Sequence, residues 1–255
     1  MQKIVEQVWD YTKHAKFYEY RPNYAPATLD MLVALVGRNH TEIKVADIGA
    51  GTGNLSIMLL ERGCKVVAVE PNDAMREIGE KRTKGQDIEW VRAIGVDSTL
   101  ESNAFDWVTF GSSFNVMDRR KALEESHRLL KKGSYFSCMW NHRDLNDAIQ
   151  KIAEDVIMQF VPNYTRGVRR EDQKPFLLEQ KDLFDGIIYT EEDFYFHQSL
   201  ENYINAWRSV KNPYWDLETK EGEELFEKIT QELAKKLSNA FDIKYATRCW
   251  SARKL

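Results

Sequence analysis

The chain has 255 residues, of which 43% are apolar and 30% charged, with a formal net charge of −4. That length carries a full α/β core in one domain, and the acidic balance argues against nucleic acid as a partner, because phosphate binding relies on clustered cations. No run approaches the roughly 18 apolar residues of a membrane span, and Met1 to Glu6 lacks the apolar stretch of a secretory signal.

Residues 1–38 read as helical, with Trp9, Tyr11, Phe17, Tyr18 and Tyr20 ahead of Ala27 to Val36, and with Pro22 and Pro26 breaking the run. Ile43 to Ile48 then reads as a buried strand, a helix follows from Asn54, and Lys65 to Val69 reads as a second strand. Pro71 to Met75 opens a helix with Asn72 or Asp73 as its N-cap. Strands follow at Ile88–Ala93 and Phe105–Phe110, then a helix from Arg120 to Leu130, then another apolar strand after Ser134. This alternation over 43–140 predicts a parallel sheet. It breaks at Asn141, where a helical stretch from Asp147 to Phe160 leads into a polar, basic loop, Asn163 to Pro175. Phe194 to His197 reads as a strand, Ser199 to Ser209 and Gly222 to Ser238 as helices, and Ile243 to Ala252 as a final strand. The expected organisation is one domain: N-terminal helices over 1–40, a core over 41–140, a covering insertion over 141–215, and a last helix and strand over 216–255.

Cys64, Cys138 and Cys249 are odd in number and far apart, which fits neither a disulfide framework nor a zinc pattern and suits a reducing cytoplasm. The five histidines never fall at i, i+4 spacing, so no metal is expected.

The chemistry concentrates in Val45-Ala46-Asp47-Ile48-Gly49-Ala50-Gly51-Thr52-Gly53-Asn54. Three glycines at alternate positions fill a strand-to-helix turn, and without Cβ atoms backbone can approach a ligand closely. The dinucleotide fingerprint is spaced differently, as G-x-G-x-x-G. Glu70 closes the second strand 23 residues after Asp47, where a carboxylate can accept both hydroxyls of a ribose. This order resembles the Rossmann-like core of class I S-adenosylmethionine (SAM) methyltransferases. Within them, Phe17 to Tyr24, Val69 to Met75 and Ser113 to Asp118 are similar to segments of the trans-aconitate methyltransferase group of small-molecule enzymes. The resemblance covers about residues 8–142 and returns at Leu200 to Ser209. Relatives commonly carry H-W-F where this chain has Asn115-Val116-Met117, and the acid after their third strand is displaced here to Asp97.

The resemblance implies a seven-stranded, mostly parallel sheet with an antiparallel last strand and a helical lid. It implies SAM as cofactor and S-adenosylhomocysteine as product. Gly49, Gly51 and Gly53 would pass under the methionine part, with Asp47 near its ammonium group. Glu70 would take the ribose, Pro71, Asn72 and Met75 would flank the adenosine, and Gly95, Val96 and Asp97 would border the adenine. Met75 reads equally as helix core. Ser112 ends the fourth strand at the carboxyl edge, where ligands bind in open α/β sheets, and Tyr20 and Arg21 would close over the cofactor carboxylate. For the acceptor the candidates are Ser113, Asn115, Trp140 and Trp207, with Trp215 and Tyr214 as further apolar walls. The guanidinium groups of Arg166, Arg169 and Arg170 read either as a solvated loop or as a lure for an anion. His142 is the first candidate base and His14 the second. The expected function is methyl transfer to a small, anionic metabolite. A catalytically inactive SAM-binding partner subunit and a nucleotide-dependent oxidoreductase are the rival readings.

Overall fold

A computed structural model describes residues 11–37, 42–165 and 171–255. Trp9 and the start of the expected N-terminal helix lie outside the described residues, as do Arg166, Arg169 and Arg170. Seven strands form one sheet: β1 (Lys44–Ile48), β2 (Lys65–Val69), β3 (Ile88–Val91), β4 (Phe105–Gly111), β5 (Leu130–Arg143), β6 (Phe184–Ser199) and β7 (Ala240–Lys254). Their order is β3-β2-β1-β4-β5-β7-β6. β1 to β5 pair in parallel, and β7 runs antiparallel to both of its neighbours. The α/β class and the single reversed strand, the last in sequence, are those the sequence predicts.

Among the described residues eight α-helices flank the strands: α1 (Pro26–Val36), α2 (Asn54–Leu60), α3 (Asp73–Arg82), α4 (Arg119–Leu129), α5 (Ala148–Phe160), α6 (Lys174–Glu179), α7 (Leu200–Arg208) and α8 (Lys220–Lys236). Both sheet faces are covered, so the central strands read as continuous apolar runs. Val45, Val66 and Trp107 pack on one face with Leu29 and Leu32 of α1 and Leu59 of α2. Ala46, Val67 and Val108 pack on the other with Leu123 and Leu129 of α4. Asn72 caps α3, its side chain accepting the Met75 N–H. Asp118, Asp147, Ser199 and Thr219 cap α4, α5, α7 and α8 in the same way.

Ahead of α1 the described chain holds a 3-10 helix, Ala15–Tyr20, and Pro22 and Pro26 separate the two pieces as the sequence predicts. Two expectations are corrected. The loop expected to run through Pro175 ends at Lys174, where α6 begins with that proline in its first turn. The segment 141–215 is not wholly an addition to the core, since it holds β6, one of the two edge strands of the sheet. Only the end of β6 was expected as a strand. Its middle, Thr190-Glu191-Glu192-Asp193, carries the charge that blunts a sheet edge and so reads as loop.

β5, β7 and β6 also outrun the rest of the sheet. Gly111, the last residue of β4, lies opposite Met139, while β5 continues to Arg143 opposite Tyr245. The pairing of β7 with β6 continues further, to Ala240 opposite Ser199. On this overhang α5, α7 and α8 build a separate core that includes Ile157, Tyr203, Trp207, Phe226 and Ile243.

β3 and α3 are fixed to the glycine turn through Trp90. A Cβ built on Gly53 would lie 3.3 Å from its ring, and one built on Gly79 of α3 would lie 2.1 Å from it. The Trp90 indole N–H also donates to Thr83 Oγ1 at 3.0 Å. Gly79→Ala is therefore expected to destabilise the protein by about 1–3 kcal/mol through overpacking. A urea titration should show a lower midpoint with an unchanged slope.

Candidate cofactor and active site

β1 and β2 pair in register, Ile48 opposite Val69, so their carboxyl ends are level. The chain then turns through Gly49, Gly51 and Gly53, all at positive φ (68°, 60° and 83°). The N–H groups of Gly49 and Ala50 both donate to the Val69 carbonyl. A Cβ on Gly49 would strike Ser113 at 2.6 Å, whereas one on Gly51 would meet nothing within 4 Å. Packing and φ exclude a side chain at Gly49; Gly51 borders open space.

Glu70 lies beside that space and is 8% exposed. Its carboxylate accepts the Gly51 N–H at 2.9 Å and the Asn72 N–H at 2.8 Å. Burial raises its pKa, and the two backbone bonds oppose the rise. Arg82, at the end of α3, reaches back to the turn and donates to the Thr52 carbonyl at 2.7 Å and to Asn54 Oδ1 at 2.5 Å. A strip of open backbone next to a partly satisfied carboxylate fits a ribose-bearing ligand whose hydroxyls would donate to Glu70.

The segment 11–21 runs along the same cleft. Asn54 Nδ2 donates to the Tyr18 carbonyl and Asn72 Nδ2 to Thr12 Oγ1. Half-buried Tyr20 lies on this strap. The Arg21 guanidinium stacks on Tyr18 and donates to the Ser209 hydroxyl and carbonyl, both at 2.7 Å. It therefore ties the strap to the end of α7, a role the sequence reading did not give it. His14, expected as a second base, is likewise buried with Nδ1 bonded at 2.8 Å to the Arg208 carbonyl, an acceptor that fixes the Nδ1–H tautomer.

Two further residues expected on the cofactor side are buried. Asp47 is fully buried, accepting from Ser56 Oγ at 2.6 Å and Thr109 Oγ1 at 3.0 Å, so its oxygens hold α2 and β4 against β1. Met75 is 3% exposed, on the buried face of α3. Pro71 and Asn72 are half-buried beside Glu70. Gly95 is buried so closely against Ile48 and Met117 that a Cβ would lie within 3 Å of both. Val96 is half-buried next to it and Asp97 is exposed.

At the end of β4, Ser112 adopts φ +61°, a strained conformation for a residue with a side chain. Its hydroxyl lies 3.1 Å from that of Tyr24, a phenol whose pKa burial pushes up, keeping it neutral. Ser113, expected at the acceptor, is instead buried and donates to the Ile48 carbonyl at 2.6 Å. Asn115 is exposed, and its Oδ1 accepts the Trp140 indole N–H at 3.2 Å. His142 is buried in β5 opposite Ala246, and Trp207 is buried in the core of the overhang. Thus Gly51, Glu70 and Asn72 come together, and Ser112, Asn115 and Trp140 lie along the neighbouring strand ends. Arg82, Asn54 and Tyr24 were missed; their partners are 28 or more residues away, which no local pattern records. Among the described residues no group of three metal-ligating side chains occurs, and no helix is long and apolar enough to cross a membrane.

A family described as the methyltransferase domain matches residues 46–138. An uncharacterized methyltransferase of Mycobacterium tuberculosis is 32% identical over 126 residues, 49% of this chain and 48% of its own. The chain thus aligns with about half the length of that relative. The ubiquinone/menaquinone biosynthesis C-methyltransferase of Zymomonas mobilis is 29% identical over 62% of this chain and 67% of its own. Among solved structures, the phosphoethanolamine N-methyltransferase 2 of Haemonchus contortus, in complex with phosphomonomethylethanolamine and S-adenosylhomocysteine, superimposes with a TM-score of 0.55. That match has 16% identity and covers 97% of this chain and 61% of the other. Residues 46–138 thus match a methyltransferase domain, and the fold is shared with solved methyltransferase structures.

Burial pushes Asp47 up to about 6, so within the fold it holds its proton above the usual carboxylate range. The folded state then binds more protons than the unfolded chain between about pH 4 and 6, and the Asp47 contribution to stability falls as pH rises through that window. Asp47→Asn should remove this slope. Relative to the parent it should gain of order 1–3 kcal/mol between pH 4 and pH 7, read from urea denaturation at each pH.

Proposed function

We propose that the protein transfers the methyl group of SAM to a small-molecule acceptor bearing a carboxylate, as the likeness to the trans-aconitate methyltransferase group implies. The observation that carries this reading is the Glu70 carboxylate hydrogen-bonded to the Gly51 N–H beside open space at the turn. In this reading Glu70 accepts the ribose hydroxyls, and the Gly49–Gly53 turn lies under the methionine part. Pro71 and Asn72 border the adenosine, Gly95, Val96 and Asp97 the adenine, and Tyr20 on the strap covers the cleft. SAM supplies a sulfonium-activated methyl group, whose charge disappears in the transfer. The chain's part is chiefly orientation and exclusion of water, which can supply much of the rate. Ser112, Asn115 and Trp140 are assigned to the acceptor side, with 141–215 covering it. A carboxylate oxygen as methyl acceptor needs no base, which accords with the burial of both His14 and His142.

Purified protein should bind S-adenosylhomocysteine in calorimetry without added metal. Glu70→Ala should weaken that binding by about 1–3 kcal/mol, the scale of losing a charged hydrogen-bond partner, with far-UV circular dichroism unchanged. Normal binding by the variant would remove Glu70 from the ribose. Binding without turnover on any acidic acceptor would favour an inactive SAM-binding subunit.

A further inference from the structure

We infer that Arg82 is a positioning residue for the cofactor: it fixes the glycine turn and, through Asn54, latches the strap 11–21 along the cleft. The inference rests on the methyl-transfer reading and adds to it what keeps a bound cofactor enclosed.

Arg82 is placed unlike other arginines of the chain. Arg62, Arg76, Arg120 and Arg253 each donate to a carboxylate. Half-buried Arg82 instead reaches from the end of α3 to three uncharged oxygens. These are the Thr52 carbonyl at 2.7 Å, Thr52 Oγ1 at 3.1 Å and Asn54 Oδ1 at 2.5 Å. Gly51 and Gly53 have no side chain to restrict the backbone, so the turn keeps one shape only where its peptide groups are held. Arg82 supplies half of that hold. The peptide between Thr52 and Gly53 gives its carbonyl to the guanidinium and its N–H to the Ala50 carbonyl at 2.9 Å. The bare side of Gly51, beside Glu70, is thereby kept open to a ligand.

The second action passes through Asn54. An amide has an acceptor end and a donor end. With Oδ1 taken by the guanidinium, Asn54 presents Nδ2 to the Tyr18 carbonyl of the strap, at 3.3 Å. The next strap residue, Glu19, also bears on Arg82: burial lowers the arginine's pKa and the Glu19 carboxylate opposes that. A half-buried cation facing uncharged oxygens gains when a carboxylate approaches, so the strap and the guanidinium favour one another. Asn54 and Glu19 thus make the arginine sense whether the strap is in place.

Trypsin cleavage after the exposed Lys13 and Lys16, followed by mass spectrometry, reads the strap; calorimetry with S-adenosylhomocysteine reads the cleft. The ligand should slow cleavage of the parent at both lysines. Without ligand, Arg82→Gln should be cut there about tenfold faster than the parent, and it should bind S-adenosylhomocysteine about tenfold more weakly, the scale of one hydrogen bond to a charged group. Arg82→Lys, with a charged nitrogen on a shorter stem, should lie between the two. Asn54→Ala should loosen the strap as Arg82→Gln does, and it tests the latch even if the arginine variant does not fold. The double variant should be little worse than the worse single one, because both residues act through one contact. The latch is overturned if either single variant is cut at Lys13 and Lys16 at the parent's rate. It is also overturned if the two losses add, or if cutting speeds up equally along the whole chain, as a merely structural arginine would give. Failure of the parent to bind S-adenosylhomocysteine would instead overturn the methyltransferase reading, while the ligand-free cleavage rates still decide the strap.

Discussion

Glu70 is a carboxylate at the end of a buried strand, and a charge so placed must be given partners. It takes them from two different parts of the chain. One is the Gly51 N–H of the turn after β1, and the other is the Asn72 N–H at the start of α3. Since β1 and β2 are level, the Val69 carbonyl collects the N–H groups of Gly49 and Ala50 as well. α3 therefore leaves β2 in a fixed direction, capped by Asn72. From its far end Arg82 returns to Thr52 and Asn54. The turn is held from both sides while its middle glycine stays bare.

What could be read from the sequence follows from this local logic. Parallel strands covered on both faces leave apolar runs, and glycines at alternate positions mark the turn, so β1 to β5 and the reversed last strand were all legible. β6 was not, because an edge strand in contact with water alternates with charge and looks like a loop. Of the candidate site, the meeting of Gly51, Glu70 and Asn72 was legible, because backbone makes it. Side chains with a distant partner were not legible in that way. Asp47 looks like a free acid until Thr109 arrives from β4, and Arg21 looks available until Ser209 is placed beside it. Spacing in sequence carries no record of contacts across 62 or 188 residues.

The strap 11–21 joins the two halves of the molecule. On one side it bonds to Asn54 and Asn72, at the turn and at α3. On the other, His14 and Arg21 bond to the last residues of α7, which belongs to the overhang. The strap thus links the end of α7 to the glycine turn and α3 by hydrogen bonds that bypass the sheet.

The position of β7 sets a condition on how the nascent chain matures. β1 to β5 and their helices form from neighbouring segments, in the order in which a ribosome releases them. β6, by contrast, is joined to the sheet only through β7, which lies between it and β5 and is made after it. Until Ala240 to Lys254 has emerged and inserted, β6 has no strand to pair with, and the apolar faces of α5 and α7 have no floor. Such late, non-local closure is slow and leaves strand edges open to mispairing. The half of the protein assigned to the acceptor therefore matures last, and it is the half for which a folding chaperone would have most to protect.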